Sequence, residues 1–181
     1  MIQRVRRLIF IPAAGVLAAG TVLTAGVASA GATAVRQTGC TPSGSAYWQF
    51  TSSTGVNYYF GTPNNTYSGA TVRLKPLLNG TTSWAGSQCS NGTWLVTNRG
   101  LALTSRARNA GADVAAETPG AGGSGFASQH WTVTFTSTSS GTTATFRNQL
   151  TGLYLRIPNS GPVMGQTVTT GNSATPWKLI H

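Results

Sequence analysis

Three stretches of this chain follow one grammar, and that repetition limits the fold more than composition does. Gly55-Val56-Asn57-Tyr58 leads to Gly69-Ala70-Thr71-Val72 and then Trp84. Gly100-Leu101-Ala102-Leu103 leads to Gly111-Ala112-Asp113-Val114 and then Gln129-His130-Trp131. Gly152-Leu153-Tyr154-Leu155 leads to Gly165-Gln166-Thr167-Val168 and then Trp177. The spacing between the two glycines is 14, 11 and 13 residues, and from the second glycine to the Trp it is 15, 20 and 12. The landmarks therefore hold across three unequal copies.

Between the landmarks the chain runs in short alternating segments such as Ala46 to Phe50 and Trp131 to Phe135, with no sustained 3.6-residue apolar period. Gly, Asn and Pro punctuate them, and Asn79-Gly80 and Asn91-Gly92 are hairpin signals. Roughly four short strands per copy predict about twelve in all, which suits a closed all-β architecture without free edges.

Residues 1–30 stand apart. Arg4, Arg6 and Arg7 precede an apolar stretch, Leu8 to Val27, that ends on Ala28-Ser29-Ala30. This is the pattern of a secretory signal peptide; a retained anchor is the competing reading, because the run approaches the roughly 20 residues that span a bilayer, and dilution by Gly and Thr and the A-x-A ending favour the signal peptide. Residues 31–45 read as a polar lead-in and 46–181 as the folded domain, with repeats at about 46–92, 93–130 and 131–181. Cys40 and Cys89 are the only cysteines. In an exported chain they predict one disulfide, closing a loop of about 50 residues worth roughly 4 kcal/mol in the chain-entropy model. Two cysteines without companion histidines predict no metal site.

Without Arg4, Arg6 and Arg7, nine Lys and Arg face Asp113 and Glu117, a charge near +7. Such a balance favours anionic surfaces. The basic residues form no cluster or recognition helix, which argues against nucleic acid.

A Gly-x-x-Leu strand, a Gly-x-x-Val strand and a Gln-x-Trp resemble the repeat of the ricin B-chain type β-trefoil, most sharply from Gly111 to Trp131; repeat three keeps the Trp as Pro176-Trp177, and repeat one follows the pattern only loosely. The resemblance covers the mature chain and implies an all-β fold, a β-trefoil with pseudo-threefold repeats. In that fold Val56, Tyr58, Val72, Trp84, Leu101, Leu103, Val114, Trp131, Leu153, Leu155, Val168 and Trp177 fill a shared core. It also implies carbohydrate binding. The family uses an Asp directly after the first strand's core residue, an aromatic a few residues after Gly-x-x-Val, and an Asn or Gln. Here the Asp position falls on Tyr59, Thr104 and Arg156, and the aromatic position near Lys75, Glu117 and Gly171. No repeat carries the full set, so the pockets are rewritten.

What stands there is rich in amides, hydroxyls, cations and Tyr, as a saccharide groove requires. The candidate binding residues are Tyr59, Tyr67, Lys75, Thr104, Asp113, Gln129, Arg156, Asn159 and Asn172. Catalysis is not expected. Asp113 and Glu117 are the only carboxylate side chains and sit four apart on one predicted strand, roughly 13 Å between Cα atoms, unsuited to glycoside hydrolysis. No nucleophile elbow or phosphate loop is present. The sequence thus predicts a secreted, monomeric, cofactor-free module that binds a glycan or wall polysaccharide, with no membrane association after signal cleavage. The alternative is a protein-binding trefoil such as a protease inhibitor, its loop at Thr62 to Gly69, Asn109 to Gly111 or Thr118 to Ser128.

Overall fold

A computed structural model describes residues 39–120, 125–158, 162 and 164–181. The predicted signal segment 1–30, most of the lead-in and Asn159 lie outside the described residues. The strands are β1 (Cys40–Thr51), β2 (Asn57–Gly61), β3 (Ala70–Thr71), β4 (Arg73–Lys75), β5 (Ser83–Cys89), β6 (Trp94–Asn98) and β7 (Leu101–Ser105). They continue as β8 (Val114–Glu117), β9 (His130–Thr138), β10 (Gly141–Asn148), β11 (Tyr154–Arg156), β12 (Thr169–Gly171) and β13 (Trp177–Ile180). β3 and β4 are halves of one strand interrupted at Val72, so each repeat supplies four strand positions.

Six strands close on themselves in the order β1, β5, β6, β9, β10, β13 and back to β1, every pair antiparallel. Closure leaves no barrel strand with an unpaired edge. Three hairpins, β2 with β4, β7 with β8 and β11 with β12, cap one end. The three Gly-x-x-Val segments meet in a ring: Val72 N–H donates to the Val114 carbonyl (2.8 Å), Val114 to Val168 (3.0 Å) and Val168 to Val72 (3.0 Å). The glycines opening them have φ of +93°, +88° and +81°, which explains why Gly starts all three. The fold is a β-trefoil.

The core matches this symmetry. Trp84, Trp131 and Trp177 are buried with Val72, Val114 and Val168. Trp84 Nε1 donates to the Phe60 carbonyl (2.9 Å) and Trp131 Nε1 to the Leu103 carbonyl (2.8 Å), so Phe60 is the counterpart of Leu103. This corrects the predicted register in repeat one: Val56 is 44% exposed and Tyr58 only half-buried, while Phe60 is fully buried. The turn before β2 causes the slip. Ser52 N–H donates to the Val56 carbonyl, Val56 N–H to the Ser52 hydroxyl and Gly55 N–H to the Ser52 carbonyl, a self-closed loop that pushes the core position two residues on. Leu101 and Leu153, also expected in the core, are half-buried at its margin.

Two boundaries differ from expectation. β9 carries Trp131 and holds the place that β5 and β13 hold, so the second repeat runs on through Thr138. The lead-in is already strand from Cys40, because β1 pairs along β5 with Cys40 opposite Cys89. The predicted disulfide joins those two residues and packs with Leu95 and Ala102 in a small satellite core.

Candidate binding sites on the cap

Three positions recur around the cap. The residue after the buried core residue of the second strand is Gly61, Thr104 or Arg156. The residue three after the ring valine is Lys75, Glu117 or Gly171. The residue two before the core Trp is Thr82, Gln129 or Thr175. The threefold fold makes each set a potential pocket, and the side chains decide which is open.

The middle pocket is filled. Gln129 is 1% exposed; its Nε2 donates to the Thr104 hydroxyl (3.3 Å) and the Thr118 carbonyl (3.0 Å). Its Oε1 accepts from the N–H groups of Phe126 (2.9 Å) and Gly120 (3.2 Å). Thr104 is buried too and donates to the Ala102 carbonyl. Both were predicted ligand contacts; the structure makes them internal ties of the loop before the 3₁₀ turn Ala127–Gln129, with their polar atoms already partnered. Glu117 pairs with Arg106 at 2.9 Å, and Arg106 also donates to the Gly69 carbonyl. Asp113 is exposed, and its backbone bridges to Thr169.

In repeat one the candidate binding residue Tyr59 is withdrawn into the fold. Tyr59 is 7% exposed and its hydroxyl accepts from Gln49 Nε2 at 2.9 Å, so its ring belongs to the wall of the β1–β2 hairpin. Gly61 stands at the first position, where a Cβ would come 2.6 Å from the Thr81 carbonyl oxygen. An open depression remains beside it, lined by Asn64, Arg73, Lys75, Leu77, Asn79 and Met164 among others. Lys75 Nζ donates to Asn64 Oδ1 (3.5 Å), and Arg99 donates to the Asn64 backbone carbonyl (2.8 Å). Burial first, then the Arg99 charge, holds the Lys75 ammonium below its ordinary pKa of 10.5. Tyr67 is 65% exposed on the preceding loop.

Repeat three opens a second depression, lined by Gly111, Arg156, Pro158, Thr169 and Thr170. Arg156 lies half-buried across Gly171, and its Nε donates to the Ile157 carbonyl (3.3 Å). Asn172 is exposed on the following loop.

Of the predicted residues, then, Lys75 and Arg156 line separate open pockets, and Tyr67, Asp113 and Asn172 are exposed on cap loops. Sequence reasoning missed Asn64, Arg73 and Arg99. Arg99 sits at φ +50° in the Asn98-Arg99-Gly100 turn, a turn signal that gave no hint its side chain reaches a neighbouring repeat. No group of three or more His, Cys, Asp or Glu that could hold a metal ion occurs among the described residues. Nor is any helix there long and apolar enough to cross a membrane.

No family model matches the sequence, and no curated protein matches it. Solved structures do. The designed threefold-symmetric protein ThreeFoil superposes with a TM-score of 0.62 at 18% identity, covering 75% of this chain and 98% of its own. The agglutinin from Abrus precatorius gives 0.53 at 19%, covering 75% and 47%. The Polyporus squamosus lectin, bound to Neu5Acα2-6Galβ1-4GlcNAc, gives 0.51 at 17%, covering 75% and 48%. The chain thus spans the length of ThreeFoil but less than half of either natural protein. These likenesses establish the fold.

Proposed function

We propose that this protein is an exported, non-catalytic carbohydrate-binding module whose ligand is an acidic polysaccharide, such as a polyuronate or an anionic wall polymer. One observation carries the reading: two open pockets among the described residues of the cap each present a basic side chain, Lys75 or Arg156, beside hydroxyl or amide groups. A cation flanked by Asn or Thr side chains can bind a carboxylate and its neighbouring hydroxyls together. The Polyporus squamosus lectin, about half of whose chain this fold matches, is bound to a sialylated trisaccharide, which supports a saccharide ligand. The Cys40–Cys89 disulfide supports an oxidising, extracellular setting.

Binding at each pocket is weak, because both are shallow. Two pockets on one rigid cap reach useful affinity through a repeating polymer. Absence of catalysis rests on acid–base supply: Glu117 is held by Arg106, and Asp113 is the one other carboxylate side chain in the sequence. The test is retention of the protein on insoluble polysaccharides and cell walls. Capture by acidic polymers, reduced in Lys75→Ala and Arg156→Ala, supports the reading. Capture by nothing, or by a protease panel instead, overturns it.

A further inference from the structure

The two open cap pockets share a cation but differ in what surrounds it. Their volumes are similar, about 310 Å³ in repeat one and about 270 Å³ in repeat three, so chemistry rather than room distinguishes them. Around Arg156 stand Gly111, Pro158, Thr169 and Thr170. Around Lys75 stand Pro76, Leu77 and Met164, together with Arg73 and the amides Asn64 and Asn79. Leu77 is 66% exposed and Met164 69%, the two most exposed large apolar side chains among the described residues.

These two come from different repeats, and the backbone brings them to one pocket. Leu77 follows β4, and Met164 precedes the Gly165 that opens the repeat-three ring segment. Gly165 N–H donates to the Leu74 carbonyl (2.8 Å) and Leu74 N–H to the Gln166 carbonyl (2.8 Å). Arg73 Nη1 adds a bond to the Gly165 carbonyl (2.9 Å). The residues after Met164 are therefore fastened along β4, beside Lys75. A single exposed apolar side chain is ordinary. Two that converge on a basic pocket, rimmed by amides, make a surface for a ligand with an apolar part.

Asn79 narrows what that part is. Its Oδ1 accepts from the Thr81 N–H (2.8 Å) and hydroxyl (2.6 Å), which fixes the oxygen end and leaves Nδ2 as a donor. A donor beside aliphatic walls suits an acyl group, whose carbonyl takes the N–H and whose methyl meets Leu77 and Met164. On an acidic sugar an acyl group sits on a hydroxyl or an amine and leaves the carboxylate charged for Lys75 and Arg73. A methyl ester would remove that charge, and a 6-deoxy methyl would replace the carboxylate of a uronate.

We propose, resting on the acidic-saccharide reading above, that the repeat-one pocket selects acylated acidic sugar residues and the repeat-three pocket does not. Arg156→Ala leaves the repeat-one pocket to be read alone, and Lys75→Ala the repeat-three pocket. Each variant is titrated calorimetrically with an oligouronide and with the same oligomer O-acetylated. Arg156→Ala should bind the acetylated oligomer roughly fourfold more tightly or better, the worth of one buried methyl-sized group. Lys75→Ala should bind the two alike. Adding Leu77→Ser and Met164→Ser to Arg156→Ala should abolish the preference. The same pair in the otherwise unchanged chain should still bind at repeat three, which reports that it is folded. Equal affinity for both oligomers in Arg156→Ala overturns this assignment alone. So does the same preference in Lys75→Ala, or a preference that survives the Leu77 and Met164 substitutions. Binding of neither oligomer by either variant overturns the acidic-saccharide reading and this inference with it.

Discussion

The Arg156 side chain lies across Gly171 so closely that a Cβ there would stand 2.1 Å from the Arg156 Cδ. Repeat three thus accommodates an arginine at its first pocket position only because its second position has no side chain. Gly171→Ala should therefore displace the guanidinium and weaken acidic-saccharide binding about as much as Arg156→Ala does. A charge-assisted hydrogen bond is worth about 1.5–3 kcal/mol, so each variant should lose roughly tenfold or more at this pocket. The double variant should lose little more than either alone, which titration calorimetry would read directly.

The repeat-one pocket should respond to pH differently. Lys75 has its pKa lowered by burial and then by Arg99, and no lysine lines the repeat-three pocket. In Arg156→Ala, acidic-ligand binding should fade as pH rises towards 10.5, beginning below that value; in Lys75→Ala it should not. The stability effect has the opposite sense. A lysine whose folded pKa is depressed is harder to protonate in the folded state, so its cost is present at neutral pH and relieved as pH rises through the folded pKa. Denaturation curves of the wild type and Lys75→Met should converge at alkaline pH.

Gln129 is a structural strut. Gln129→Leu keeps the volume but leaves the Gly120 and Phe126 N–H groups without their acceptor and the Thr118 carbonyl without its donor. We expect a loss of about 2–4 kcal/mol in urea denaturation. Saccharide binding per folded molecule should be unchanged.

The fold was legible because its landmarks serve the backbone. The Gly-x-x-Val segments build the ring of valine hydrogen bonds, and the tryptophans fill the volume behind it, so neither can drift far in type or spacing. The pockets were legible only in part. Tyr59 was assigned to the ligand because the Ser52–Val56 turn adds two residues that no periodicity reveals. Gln129 and Thr104 look like ideal sugar contacts in one dimension; only packing shows their hydrogen bonds already satisfied. Lys75 and Arg156 line open pockets because their positions are fixed by distance from Val72 and Leu155, which the ring and core hold.

The threefold symmetry is broken at Trp177. Its indole Nε1 is buried with no hydrogen-bond partner among the described residues, whereas the Trp84 and Trp131 indoles donate to carbonyls. The junction differs as well: Asn98 Nδ2 donates to the Ser83 carbonyl and Asn148 Nδ2 to the His130 carbonyl, but Phe50 contacts the Trp177 ring at 6.4 Å. Trp131→Phe removes a made hydrogen bond, and Trp177→Phe removes an unmade one. Both lose similar volume, so Trp131→Phe should cost about 1–3 kcal/mol more in the same denaturation assay.

The most direct measurement is a calorimetric titration of the protein with an oligouronide and with its neutral counterpart, at low and at raised salt. We expect the oligouronide to bind at two sites per chain, more weakly as salt rises. Lys75→Ala or Arg156→Ala should leave one site, and the double variant none. Equal binding of the neutral oligomer, or undiminished binding by the double variant, would contradict recognition of acidic saccharides by the cap.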